Sequence, residues 1–295
     1  MRDVRNRQQP LLAAALFCVC AVTFAAAAEN GDPVARELQA LQLQGAALAS
    51  RDATEDNWKN LEAGYASLVR RHPKNAALRD ARGNFLWERN DREGAVREWN
   101  VAVRLEPKNT TVLNHLAGAH LAKGDPKEAL GYYIRSVEAE PRDAHTHFST
   151  ANVAWMFRHE VGRTESECVD LALRHFAEAH RLAPTNPEFA RGYAETFYLI
   201  PHPDWTTALK VWTAYLNLMP EKDFALLNLA RVHLNLGDAG NARACLAQVT
   251  NPANERLKKR LEARIQAELS SEKPPSAPEV EKSLKPSIDE GRLAP

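Results

Sequence analysis

The sequence predicts an all-α chain, a right-handed solenoid of helix–turn–helix repeats. Three observations lead there. A phrase in which a helical run ends at proline and a short polar turn follows recurs five times. Small and bulky side chains recur at fixed places between those phrases, and the phrases together account for nearly every ordered segment of the 295 residues.

The phrase reads His72-Pro73-Lys74-Asn75, Glu106-Pro107-Lys108-Asn109, Glu140-Pro141-Arg142-Asp143, Ala183-Pro184-Thr185-Asn186 and Met219-Pro220-Glu221-Lys222-Asp223, with the prolines 34, 34, 43 and 36 residues apart. Proline cannot continue a helix, and Asn or Asp shortly after it can cap the next one, so each phrase closes one helix and opens another. Between phrases a small residue stands in each first helix at Gly83, Ala117, Ala151, Ala194 and Ala230. A second opens each second helix at Ala95, Ala129, Ala172, Ala208 and Ala242, with a bulky residue four places on at Trp99, Tyr133, Phe176, Trp212 and Leu246. Small residues let two helices approach closely, and the large one fills the gap to the next unit. Asn90-Asp91, Gly124-Asp125 and Gly237-Asp238 supply turns between the helices.

This pattern resembles the tetratricopeptide repeat, a unit of about 34 residues with small, small, aromatic and proline positions in that order. The resemblance covers about residues 42–252 and divides 74–252 into five units, about 76–109, 110–143, 144–186, 187–222 and 223–252. Upstream, residues 33–73 read as a degenerate helical hairpin, in which Tyr65, Leu68 and Pro73 fall where later units place their aromatic, apolar and proline residues. The third unit carries about nine extra residues around Arg158–Glu167 and the fourth about two at Pro201-His202-Pro203-Asp204. Such insertions are tolerated loops, helix extensions or partner contacts. Residues 253–270 place Leu257, Leu261, Ile265 and Leu269 four apart among charged residues, the pattern of a capping helix, and the Pro-, Ser- and charge-rich residues 271–295 read as a disordered tail.

Charge excludes some partners. Thirty-eight Lys and Arg balance 38 Asp and Glu, which leaves no polybasic field to attract nucleic acid. Three arginines precede an uncharged run from Leu11 to Ala28 that ends in four alanines, the order of a secretory signal cleaved near Ala28. The run also reaches the roughly 18 residues at which a spanning helix begins, so an uncleaved anchor is the alternative. Cleavage predicts a periplasmic or secreted protein with no membrane insertion. Cys168 and Cys245, the two cysteines beyond that run, are too few for a disulfide framework and stand two repeats apart.

No phosphate loop, zinc-spaced cysteine cluster, haem-attachment pair or nucleophile elbow is present, so no catalytic residue, cofactor or metal site is assigned. His145, His147, His159, His175 and His180 concentrate in the third unit, but none of the neighbouring pairs has the i, i+4 spacing of a helical metal pair. They carry the rival reading, an envelope enzyme or metal-dependent hydrolase. A self-assembling solenoid module, hence a homo-oligomer, is the third.

The resemblance implies a non-catalytic scaffold that takes a protein or peptide partner in a groove lined by first helices. Carried onto this sequence, its groove positions are Asp80, Asn84 and Trp87; Asn114 and Leu121; Phe148, Asn152 and Trp155; Arg191, Glu195 and Tyr198; and Leu227, Arg231 and Leu234. Rigid rings, amides and arginines suit peptide recognition, while the same aromatics would also serve as packing between helices. The carboxylate clamp of chaperone-binding members, which needs lysines, is disfavoured: Asp80 and Phe148 stand at its lysine places, and only Asn84 and Asn152 match its amides.

Overall fold

The computed structural model describes residues 32–50 and 53–270. The expected signal segment and C-terminal tail lie outside the described residues. Among those residues the chain forms thirteen α-helices and one 3-10 turn, with no strand. The helices are α1 (Pro33–Ala49), α2 (Glu55–Arg71), α3 (Ala76–Glu88), α4 (Arg92–Leu105), α5 (Thr110–Lys123), α6 (Pro126–Ala139) and α7 (Ala144–Met156). They continue with α8 (Glu165–Leu182), α9 (Pro187–Thr196), α10 (Trp205–Leu218), α11 (Asp223–Asn235), α12 (Ala239–Ala247) and α13 (Glu255–Ser270). None of these helices is long and apolar enough to cross a membrane.

The chain divides into two compact units after Gly124. In the first, α1 to α5 each pack on the next helix in sequence; in the second, α6 to α13 do the same, and α13 also reaches back to α11. Sequence-adjacent packing of this kind is what short polar turns between amphipathic helices produce.

The turns work through side-chain caps. Asn75, Asp91, Asn109, Asp125, Asp143, Asn186, Asp204 and Asp238 each accept a hydrogen bond from a backbone N–H in the first turn of the helix they precede. Each such cap contributes about 1 kcal/mol. Thr164 and Glu167 form a reciprocal capping box at the start of α8. The chain reverses after α3, α5 and α11 through left-handed residues, Asn90, Gly124 and Gly237, at φ 65°, 83° and 75°.

The small positions set the spacing of the helices. Ala117, Ala151, Ala194 and Ala230 on first helices, and Ala95, Ala129, Ala172, Ala208 and Ala242 on second helices, are at most 1% exposed. At Gly83 even a methyl is excluded, since a Cβ there would lie 2.5 Å from Nε1 of Trp99. The bulky positions Trp99, Tyr133, Phe176, Trp212 and Leu246 are all buried. Around Trp212 the core gathers Ala190, Ala194, Ala208, Val211, Tyr215, Ala225 and Leu229 from three consecutive helices, with Phe197 from the turn after α9. Polar pins are added where charge is buried: Glu98 on α4 takes Arg79 at 2.9 Å and Arg82 at 2.6 Å, both from α3.

The inserted residues of the third unit divide between helix and loop. Helix α8 runs 18 residues where α4, α6 and α10 run 14, and the rest form a loop over 157–164. That loop is anchored, with Val161 buried and Arg158 bonded to Glu165 at 3.1 Å. At the C-terminal end, α13 buries only Leu261 and Ile265, while Leu257 and Leu269 are 37% and 54% exposed.

The proline phrase departs from its usual role before α11. Asp223 does not cap its own helix, which lacks a side-chain cap. Its carboxylate instead accepts from the backbone N–H groups of Thr250 at 3.1 Å and Asn251 at 2.7 Å, just ahead of α13. Burial alone would raise the Asp223 carboxyl, but the bonds from Asn251 and Thr250 prevail and hold it below its ordinary value.

Between α7 and α8 a pair of histidines is packed ring to ring, Nδ1 of His147 lying 2.8 Å from Nδ1 of His175. Nε2 of His147 faces the Pro141 carbonyl at 3.3 Å, which can only accept, so that nitrogen carries hydrogen. One Nδ1 therefore donates to the other, and double protonation would break the bond. Burial, reinforced by the neighbouring His147 and Arg174, pushes His175 down from 6.5 to about 4.

Three outcomes follow for stability. Gly83→Ala should cost about 1–3 kcal/mol through overpacking against Trp99. Ala208→Arg, which buries an unpaired charge, should abolish the cooperative melt of the second unit; both are read by circular dichroism on heating. The folded protein binds fewer protons at His175 than the unfolded chain between pH ~6.5 and ~4. Its contribution is therefore complete above that window and lost as pH falls through it, by roughly 1–2 kcal/mol after allowance for solvent screening of the partly exposed ring. His175→Gln, which keeps a donor toward His147, should flatten the dependence of Tm on pH between 6.5 and 4.5. An unchanged slope would show that the pair is not what titrates.

Candidate functional site: the face of α9 and α11

Two successive first helices in the second unit present matching rows. On the α9 side, Arg191, Glu195 and Tyr198 stand at i, i+4 and i+7; on α11, Phe224, Asn228 and Arg231 do so. Residues at this spacing share a helix face, so the rows can interdigitate along their length. At one end the Arg191 guanidinium lies over the Phe224 ring, 4.8 Å from its centroid, while its Nε donates to Glu195 at 2.8 Å. At the other end the Arg231 guanidinium lies 4.1 Å over the ring of Tyr198. Stacking of this kind contributes about 0.5–1 kcal/mol at exposed sites and more where water is excluded.

Asn228 holds the centre. Its amide nitrogen donates to the Phe224 carbonyl at 2.9 Å, its Oδ1 accepts from Nη1 of Arg231 at 3.3 Å, and its backbone carbonyl accepts from the Tyr198 hydroxyl at 3.2 Å. Burial pushes the Tyr198 hydroxyl well above its ordinary value, so it is a neutral donor. The rows are accessible above this strut: the side chains of Arg191 and Glu195 are 45% and 43% exposed, and Phe224 is 40% exposed.

Of the residues expected to line a groove, Arg191, Glu195, Tyr198 and Arg231 are brought together here. Leu227 and Leu234 are not, and their expected place on the groove needs correction. Each is 2% exposed and packs with Leu246, Leu261 and Ile265, because α13 covers the side of α11 that carries them. Phe224, 40% exposed, occupies the accessible face instead, while Asn228 beside it in the row is buried. Sequence reasoning missed both, although their i, i+4, i+7 relation to Arg231 repeats that of Arg191, Glu195 and Tyr198.

Elsewhere the expected positions mostly serve packing. Asp80 is buried, its Oδ1 2.8 Å from Nδ1 of His115, so it is unavailable as a contact surface. Trp87 is enclosed between the Arg92 guanidinium at 3.8 Å and Trp99 at 5.5 Å. Phe148 packs on Phe189 at 4.8 Å and on Phe176 at 5.5 Å. Asn84, Asn114, Leu121 and Asn152 are partly buried. Trp155 is also partly buried and carries Arg158 4.3 Å over its ring, with Met156 beside it 53% exposed.

The third-unit histidines are dispersed apart from the one pair: His145 meets Phe189 edge-on at 5.1 Å, His180 faces Tyr193 at 6.0 Å, and His159 is exposed. Among the described residues no group of three or more His, Cys, Asp or Glu side chains is placed to hold a metal ion. Cys168 and Cys245 are both free thiols.

No family model matches the sequence, and no curated protein matches it. Solved structures do. YrrB, described as a TPR protein with an unusual peptide-binding site, aligns at a TM-score of 0.55 and 16% identity over 68% of this chain and 97% of its own. The pilF protein of Pseudomonas aeruginosa aligns at 0.51 and 17% over 80% and 99%. A structure of Naa15/Naa10 bound to HypK-THB aligns at 0.57 and 13%, over 80% of this chain but 34% of that one. Likeness at such identities speaks for architecture alone, and the architecture it establishes is an all-α helical repeat of the tetratricopeptide type.

Proposed function

We propose that the chain is an exported, non-catalytic scaffold that binds a protein or peptide partner on first-helix faces, with the α9 and α11 rows as the principal surface. The observation that carries this reading is the pair of guanidinium-over-ring stacks, Arg191 on Phe224 and Arg231 on Tyr198, on a face with exposed side chains. Arginines and aromatic rings held in place before binding cost little entropy on association, which is why such residues dominate interface energies. The tetratricopeptide architecture supports the reading, as does the peptide-binding site described for YrrB. Export rests on the order of charged, apolar and small residues in 1–28. The neighbouring surface at Trp155 and Met156, beside the anchored loop of the third unit, is a second contact region on the same reading.

The test begins with the full chain expressed with an affinity tag, captured from its native envelope fraction. Its N-terminus, read by mass spectrometry, should be Glu29; an intact Met1 would turn the segment into an anchor. With the captured partner, Arg191→Ala and Trp155→Ala should each weaken binding by about 1–3 kcal/mol while helical content stays unchanged. If Trp155→Ala melts the protein as severely as Ala208→Arg does, and a folded Arg191→Ala variant binds normally, the first-helix surface is not where the partner sits.

A further inference from the structure

We infer that the occupant of the α9 and α11 face is an acidic segment of the partner, one carboxylate of which pairs with Arg231 while a nearby apolar side chain packs on Phe224. This deepens the reading of that face as a peptide site and rests on it.

The two arginines of the face are in different electrostatic states. Arg191 already has a carboxylate, Glu195 at 2.8 Å. Arg231 has none among the described residues: its contacts are the amide oxygen of Asn228 at 3.3 Å and the ring of Tyr198. Both are neutral. A partly buried guanidinium has lost part of its hydration, and neutral partners replace that only in part, so a carboxylate arriving there gains more than it would at an open surface. Stacking on Tyr198 uses the flat face of the guanidinium, and one Nη1 hydrogen goes to Asn228. The remaining in-plane donors match the two oxygens of a carboxylate.

The local charge agrees. Arg191, Glu195 and Arg231 are the charged members of the two rows, and with Glu195 matched by Arg191 the excess is one positive charge. One guanidinium with only neutral partners fits a singly charged carboxylate better than a phosphate, whose double charge calls for several cations at once. Spacing adds a requirement on the segment. Phe224 and Arg231 are seven residues apart on one helix, about 10 Å along the axis. An extended peptide covers that distance in three residues, so its acidic and apolar residues should stand about three apart.

The experiment presents a display library of random ten-residue peptides to the intact protein and determines the affinity of a synthetic version of the most enriched peptide. Retained peptides should be enriched in Asp or Glu with an apolar residue about three positions away. Arg231→Gln should weaken the synthetic peptide roughly ten- to a hundredfold, the range of a hydrogen-bonded charge pair. Arg231→Glu should recover binding when the acidic residue of the peptide is replaced by Lys, which a merely structural role for Arg231 would not produce. The carboxylate assignment is overturned if retained peptides lack an acidic residue, if folded Arg231→Gln binds as the parent does, or if a phosphoserine peptide binds tighter than its Asp version. In those cases the face remains a peptide site provided Arg191→Ala still weakens binding. If the library yields no peptide at all, the peptide-site reading falls and this inference with it.

Discussion

Helices can cross at the distance of an alanine only if neither carries more than a methyl group at the crossing, and the rest of the molecule follows from that constraint. In the second unit, Ala194 on α9 and Ala208 on α10 are both fully buried, and the space their smallness leaves is filled by Trp212. The same exchange holds in the first unit, where Gly83 admits the Trp99 indole at a distance no Cβ could tolerate. Close crossings fix the rotation of each helix about its own axis. Once rotation is fixed, the residues on the accessible face are determined down to the individual side chain.

That is why guanidinium-over-ring stacks can form reproducibly on α9 and α11. A stack at 4.1 Å requires the two helices to be held within about an ångström, which long flexible side chains could not enforce themselves. The core beneath does so: Ala190, Ala194, Ala225, Leu229 and Val232 belong to one cluster with Trp212. Asn228, buried amid apolar neighbours, then passes the order upward by giving one group each to Phe224, Arg231 and Tyr198. A buried amide is costly unless satisfied, and here its satisfaction organises the charged groups above it.

Much of this architecture is legible in the sequence because it is local. The proline phrases, the caps and the small and bulky positions each act within a turn or two of the chain, so a single sequence displays them. What was not legible depends on partners distant in sequence. His147 and His175 are 28 residues apart and meet only because α7 and α8 pack, and Asp80 and His115 are 35 apart. Of the groove residues projected from the repeat, Arg191, Glu195, Tyr198 and Arg231 lie on the α9 and α11 rows. Leu227 and Leu234, projected onto the same groove, are buried instead. Helix α13 covers the side of α11 that carries those leucines, and no repeat average contains that difference.

The C-terminal end therefore acts on the candidate site through α11. Asp223, at the head of α11, spends its carboxylate on the backbone N–H groups of Thr250 and Asn251 rather than on its own helix. This fixes the chain just where α13 begins, and α13 then buries Leu261 and Ile265 against Leu226, Leu227 and Leu234. Those three leucines pack on α13, while Phe224 and Arg231 of the same helix meet Arg191 and Tyr198 on the α9 side. Helix α11 thus begins without a side-chain cap, and the Asp223 carboxylate ties its head to the chain that leads into α13.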